Sequence, residues 1–366
     1  MTRSLVDSAL AGAAFDGPVD VVGDIHGEID ALEHLLTVLG YRGQGDHPAG
    51  RRLIFIGDLC DRGPDSPGVI RRVRAMVEAG TAQCLLGNHE INVMRGARKE
   101  ANGWFFEHDH DRARDRFLTS APAADDAERQ SILEFLRTLP LVLERTDLRL
   151  VHACWNDERI AEAHTTAGIS NAVELYREYA ARADARAQAS GLAAEAGALL
   201  DYYRERLYDR HAPVPMLDAL AERDLAYQMS NPVRVLASGV ERRAREPFFL
   251  AGKWRMLERV AWWEDYAADV PVLFGHYWRW PTPEAGARYG KYAYDMFRGR
   301  ARHEWLGARD SAFCIDYSVG ARYAERLNWP GEPFVSRLGA VRWPERELLF
   351  DDGSGAELAV ARGPAA

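Results

Sequence analysis

The sequence predicts an α/β protein that opens with a parallel β-α-β-α-β segment, and two observations carry that expectation. Apolar runs end in glycine at Val19-Asp20-Val21-Val22-Gly23, Leu53-Ile54-Phe55-Ile56-Gly57 and Cys84-Leu85-Leu86-Gly87. Runs of this length bounded by glycine read as buried strands. Between them, apolar residues recur at helical spacing. Ile29, Leu32, Leu35, Leu36 and Leu39 are closed by Gly40. Val69, Ile70, Val73, Met76 and Val77 follow the cap Asp65-Ser66-Pro67 and stop at Gly80. Strands joined by helices in this way lie parallel, and open α/β sheets place their ligand sites at the carboxyl ends of such strands.

Those ends carry the chemistry. The runs lead into Gly23-Asp24-Ile25-His26-Gly27, Gly57-Asp58-Leu59-Cys60-Asp61-Arg62-Gly63 and Gly87-Asn88-His89-Glu90, with Asp24, Asp58 and Asn88 set 34 and 30 positions apart. Further on, a hairpin over 141–151 ends at His152, and Val272-Leu273-Phe274-Gly275 ends at His276. Carboxylates, imidazoles and an amide converging on one sheet edge, with little else to neutralise them, point to metal ions.

This constellation resembles the calcineurin-like metallophosphoesterases, and more narrowly the phosphoprotein-phosphatase-like branch that holds the serine/threonine phosphatases and the bacterial diadenosine tetraphosphatases. The resemblance covers residues 19–155, resumes at 271–277, and returns weakly at 313–320 and 338–343. It implies a β-sandwich flanked by helices, with a catalytic core over 17–155 and 271–352 and a mostly helical insertion or cap over 156–270. It also implies two divalent ions: Asp24 and His26 on the first, Asp58 bridging both, and Asn88, His152 and His276 on the second. By the same resemblance His89 protonates the leaving group, Asp61 orients His89, and Arg62 grips the phosphate oxygens. Trp278 stands where many other metallophosphoesterases place the last histidine of a GHxH motif, which argues against the nuclease and cyclic-nucleotide phosphodiesterase branches. Relatives take a second phosphate-binding arginine from the stretch before the last histidine. Arg255 in Gly252-Lys253-Trp254-Arg255 is the candidate, with Lys253 and Arg259 behind it.

The expected activity is hydrolysis of phosphomonoesters, phosphopeptides or small molecules, by a hydroxide bridging the two ions. Hydrolysis of a phosphoanhydride such as diadenosine tetraphosphate is the alternative. An inactive binding module would have lost ligands, and all six are present. Manganese is the expected metal, with iron or zinc admissible to a mixed oxygen and nitrogen site.

Composition narrows the partners. A net charge of −9 gives no electrostatic footprint for bulk nucleic-acid binding. No apolar stretch is long enough to span a membrane, and the first residues lack the pattern of a secretory signal. Cys60, Cys84, Cys154 and Cys314 sit in or beside expected strands without CxxC spacing, which reads as reduced thiols of a cytoplasmic protein. Arginine dominates the cations, and lysine occurs only as Lys99, Lys253 and Lys291. Helices are expected over 169–189, 191–210 and 215–229, with Tyr176, Tyr179, Tyr202, Tyr203 and Tyr208 forming a packing stripe or the lining of a lid. Strands are expected over 312–317, 335–342 and 347–350, with no helix after Ser311. The cluster Glu107-His108-Asp109-His110-Asp111 reads as a solvated loop near the substrate entrance.

Overall fold

The computed structural model describes residues 10–99, 101–106, 121, 125–250, 252–289, 295–297 and 299–359; the acidic and histidine-rich cluster at 107–111 lies outside them. The chain runs β1 (Ala11–Ala13), β2 (Val19–Val22), α1 (Ile29–Leu39), β3 (Arg52–Phe55), α2 (Ser66–Glu78), β4 (Ala82–Cys84), α3 (Asn88–Met94) and α4 (Asp126–Arg137). A hairpin of β5 (Val142–Arg145) and β6 (Leu148–Val151) precedes five helices, α5 (Asp157–Thr165), α6 (Ala172–Ala189), α7 (Leu192–Tyr203), α8 (Asp218–Met229) and α9 (Pro232–Ser238). Then come β7 (Glu241–Leu250), β8 (Lys253–Arg259), β9 (Val272–Phe274), α10 (Pro283–Arg288), β10 (Ala312–Cys314), α11 (Arg322–Asn328), β11 (Gly339–Trp343), β12 (Glu347–Phe350) and β13 (Gly355–Glu357).

Two mixed sheets form a sandwich. One has the order β1-β5-β6-β9-β10, the other β13-β12-β11-β2-β3-β4. β2, β3 and β4 pair in parallel, as do β6, β9 and β10, so both parallel sets send their carboxyl ends to the same edge region. Alternate residues of each strand interdigitate between the sheets. Val19, Val21 and Ile54 meet Leu148, Leu150, Leu273 and Phe313 in one buried cluster, the pattern period-two side chains produce. Leu32, Leu35, Leu36 and Leu39 of α1 and Val69, Ile70, Val73 and Met76 of α2 cover the outer face. α2 begins where the Asp65 carboxylate accepts the Gly68 N–H, with Pro67 in its first turn, and α1 ends on left-handed Gly40.

The region 156–270, expected to be mostly helical, holds helices α5 to α9 and then strands. Its last part is the antiparallel hairpin β7–β8, in which Arg255 pairs opposite Phe248. Both faces of β7 alternate arginine and glutamate with a few apolar residues, so no clean strand period shows. α11 also lies beyond Ser311, where only strands were expected, and the expected strands 312–317 and 335–342 are confined to β10 and β11. Tyr176 is buried, whereas Tyr202 and Tyr208 are 77% and 63% exposed, so the tyrosine stripe does not share one packing face. No helix among the described residues is long and apolar enough to cross a membrane.

A buried ion cluster ties the sheet carrying β2 to its helices. Asp20 accepts from Tyr41 Oη at 2.8 Å, from Arg51 Nη2 at 2.8 Å and from Arg342 Nε at 3.2 Å. Removing one partner of such a group leaves a buried charge unmatched. Asp20→Ala is therefore expected to lower stability by about 3–5 kcal/mol. Arg71→Ala, which ends an exposed pair with Glu128, should cost less than about 1 kcal/mol. Urea unfolding followed by tryptophan fluorescence compares the two directly.

Candidate metal centre

Each strand end delivers one piece. Asp24 and His26 follow β2, Asp58 follows β3, Asn88 and His89 open α3 just past β4, His152 follows β6 and His276 follows β9. The backbone pays a local strain for this convergence: among the described residues, five of the nine non-glycine positions with positive φ are His26, Asp58, Asp61, Arg62 and His276. Two glycines make the close approach possible. A Cβ on Gly87 would lie 2.2 Å from Asp58 Oδ1, and one on Gly275 would lie 2.1 Å from Asp24 Oδ1.

Donor atoms gather in two groups that share Asp58. His26, Asp58 and His89 form one, and Asp58, His152 and His276 the other, with the ligand atoms in each within 4.8 Å of one another. Asp58 Oδ2 is 3.6 Å from His26 Nε2, 3.4 Å from His152 Nε2 and 3.9 Å from His89 Nε2. Asp24 Oδ2 lies 3.8 Å from His26 Nε2. The imidazoles are held from behind: His26 Nδ1 donates to Cys60 O at 3.1 Å and His152 Nδ1 to Ile56 O at 2.8 Å. Those bonds leave each Nε2 lone pair aimed at the carboxylates, the usual way a backbone carbonyl fixes a ligand tautomer.

The residues fit metal ions. Asn88 Oδ1, His152 Nε2 and His276 Nε2 are buried without a hydrogen-bond partner, a costly state unless something else engages them. Asp24 and Asp58 are both 2% exposed, and among the described residues neither forms an ion pair with lysine or arginine. Burial, and then the charge of Asp316, hold the Asp24 carboxyl well above the usual carboxylate range. Burial alone would raise Asp58 too, but the imidazoles of His152, His89 and His26 hold it well below that range. Burial opposes a charged His152, yet Asp58 and Asp24 push that imidazole up to about 10. Burial and the charge of Arg259 hold His276 well below an ordinary histidine, and burial with Arg62 does the same to His26. A divalent ion would offset the shared negative charge, and seating it would require His152 to give up its proton.

Around these atoms sits a set of positioning contacts. Glu90, fully buried, accepts the N–H groups of Asp58 at 2.8 Å, Leu59 at 2.9 Å, Cys60 at 3.3 Å and Gly87 at 2.9 Å. One carboxylate thus shapes two ligand loops. Glu90 has one signal in the sequence, a carboxylate at the third position of a helix that starts on glycine. Asp61 Oδ2 meets His89 Nδ1 at 2.5 Å, and Trp104 Nε1 donates to Asp61 Oδ1 at 2.6 Å. Arg62 lies across two imidazoles, Nη1 at 2.5 Å from His26 Nε2 and Nη2 at 3.0 Å from His89 Nε2, with its guanidinium 4.9 Å over the Trp278 ring. Asp316 accepts from the N–H groups of Trp278 and Ser318 at 2.8 and 2.9 Å, steadying the turn after His276.

Arg255 stands apart from this cluster. It is exposed on β8, its Nε donates to Leu250 O at 3.4 Å, and its charge is felt at Lys99 and Glu241. Arg259, farther along the same strand, is the residue whose charge reaches His276, with its guanidinium 5.6 Å over the Tyr277 ring. The two arginines are four positions apart on β8, on one side of the hairpin.

Residues 17–187 match the calcineurin-like phosphoesterase family, and the chain carries a domain of that family. It is 53% identical over 73 residues to the asymmetrical bis(5'-nucleosyl)-tetraphosphatase of Halalkalibacterium halodurans, covering 19% of this chain and 30% of that protein. It is 34% identical over 139 residues to the symmetrical bis(5'-nucleosyl)-tetraphosphatase of Ralstonia nicotianae, covering 37% of this chain and 41% of that protein. The matches therefore span less than half the length of these curated relatives. Among solved structures, the cold-active protein-tyrosine phosphatase of a Shewanella species aligns over 95% of this chain and 82% of its own, with TM-score 0.46 and 16% identity.

Asp58 belongs to both donor groups, so Asp58→Asn is expected to weaken the binding of both ions, by about 10-fold or more at each site. Metal content after equilibrium dialysis against Mn²⁺ checks this. Undiminished binding of two ions per chain would separate the donor groups from metal.

Proposed function

We propose that this chain is a two-metal phosphoric ester hydrolase whose leading substrates are phosphomonoesters. The observation that supports this most directly is one edge holding two buried carboxylates without a lysine or arginine partner among the described residues, and three ligand atoms without a hydrogen bond, beside Arg62 and an Asp61-bound His89. Asp24 and His26 would hold the first ion, Asn88, His152 and His276 the second, and Asp58 both. When bound, the ions supply Lewis acidity, polarising phosphoryl oxygens and lowering the pKa of water. Manganese is our expected metal.

The chain's own residues do the rest. Arg62 turns its fork from the imidazoles to two non-bridging phosphoryl oxygens, a bidentate match suited to guanidinium. His89 delivers a proton from Nε2 to the departing oxygen while Asp61 holds Nδ1, keeping the ring oriented and more basic. Arg259 replaces Arg255 as our second phosphate contact near His276. The cysteines are no nucleophiles here: all four are buried, and burial pushes each thiol up. Free thiols also accord with the cytoplasm as its place.

Phosphoanhydride hydrolysis is the second reading. The tetraphosphatase names of the two relatives favour it, and a phosphopeptide panel assayed beside dinucleoside polyphosphates decides between the two. For the proton-transfer role, His89→Asn should lower turnover of an alkyl phosphate by about 10²–10⁴. A nitrophenyl phosphate, whose phenolate departs unaided, should lose far less. Equal losses on both would remove His89 as the acid.

A further inference from the structure

A second cluster lies beside the metal centre, its two guanidinium groups bonded only to the neutral side chains of Tyr176 and Asn92 among the described residues. A cavity of about 170 Å³ is lined by Asn88, Asn92, Arg95, Lys99, Tyr176 and Arg234. Asn88 opens α3 and Arg95 closes it, about 10 Å along the helix axis, so the cavity runs outward from the metal edge. Arg234 comes from α9 and Tyr176 from α6. The Tyr176 hydroxyl accepts from Arg95 Nη1 at 3.1 Å and from Arg234 Nε and Nη2 at 3.0 and 2.7 Å. Both guanidinium groups also lie over the Tyr176 ring, at 5.0 and 5.3 Å, which brings two like charges together on one residue.

Among the described residues, no carboxylate forms an ion pair with Arg95, Lys99 or Arg234. Lys253 and Arg255 on β8 add to the field, because Lys99 feels the charges of Arg95, Arg234, Arg255 and Lys253 together. Glu241, the acidic neighbour, feels Arg234, Arg255 and Arg259 without a bonded pair. In a chain of net charge −9 whose only lysines are Lys99, Lys253 and Lys291, three cations lining one cavity without a bonded counter-charge among the described residues suit an anion. The size of the cavity sets its nature: pockets that bury a small organic molecule run to roughly 300–1,000 Å³, so this one takes a compact anion. Guanidinium forks and an ammonium around such an anion suit phosphate.

We propose that Arg95, Lys99 and Arg234 form a subsite for a further phosphoryl group next to the one at the metal centre, so that a substrate whose phosphate carries a second one in anhydride linkage gains a contact that a simple phosphomonoester lacks. The assignment rests on the phosphoric ester hydrolase reading for its link to catalysis, but the subsite itself binds anion without metal. Inorganic triphosphate, titrated by calorimetry into metal-depleted protein at low salt, reads binding alone. Arg95→Gln and Arg234→Gln should each weaken it about tenfold, the effect of losing a charge-assisted hydrogen bond. Lys99→Gln, at an exposed side chain whose loss leaves the fold intact, should weaken it about threefold. In the Mn²⁺-loaded protein, the ratio of kcat/KM for triphosphate to that for p-nitrophenyl phosphate should fall by similar factors in the same variants. Triphosphate binding absent from the parent protein, or unchanged in all three variants, overturns the subsite. Variant-sensitive binding with no hydrolysis of either compound would instead overturn the hydrolase reading and leave the subsite standing.

Discussion

Two buried carboxylates that form no ion pair with lysine or arginine among the described residues govern this molecule. Asp24 and Asp58 are drawn together at a sheet edge where water is excluded, and burying a charge in that way is tolerable only when something positive is shared between them. The surrounding architecture answers that constraint. The two sheets bring histidines from opposite sides, backbone carbonyls behind His26 and His152 leave ligand nitrogens facing inward, and the left-handed backbone at Asp58, Asp61 and Arg62 turns one loop sharply enough to present three side chains at once.

Order in the site comes from carboxylates that do not face it. Glu90 gathers N–H groups from the Asp58 and Gly87 loops, Asp61 holds His89, and Asp316 holds the turn after His276. Each is buried and satisfied, Glu90 and Asp316 by backbone N–H groups and Asp61 by the side chains of His89 and Trp104, so hydrogen bonds within the protein set the ligand geometry. Glycine at Gly87 and Gly275 completes the arrangement by leaving room for carboxylate oxygens.

Much of this was legible in the sequence, for a physical reason. Buried parallel strands must be apolar, and the residue after the strand must carry the chemistry, so Asp24, Asp58 and Asn88 announce themselves by position. The five donors after strands and Asn88 at the head of α3 lie where that pattern puts them. Less was legible where one face of an element does not decide its pattern. β7 is exposed at half of its positions, so arginine and glutamate mask its period and the hairpin with β8 does not declare itself. α11 is only seven residues long, too short for periodicity to declare itself. Arg95 and Arg234 carry no motif at all; what marks them is a shared hydroxyl on Tyr176 that only the packing of α3, α6 and α9 brings within reach.

The order of strands in the second sheet also sets a schedule for synthesis. β2, which leads to Asp24, lies between β3 and β11, and β11 comes from residues 339–343. While a ribosome is still producing the middle of the chain, β2 has only one neighbour and stands as an edge strand with unmet backbone groups, the kind of template that recruits other nascent chains. The site cannot be complete before His276 emerges, and the sheet beneath it cannot close until β11 follows. The elements synthesised between β6 and β9 must therefore fold while both halves of the sandwich are unfinished.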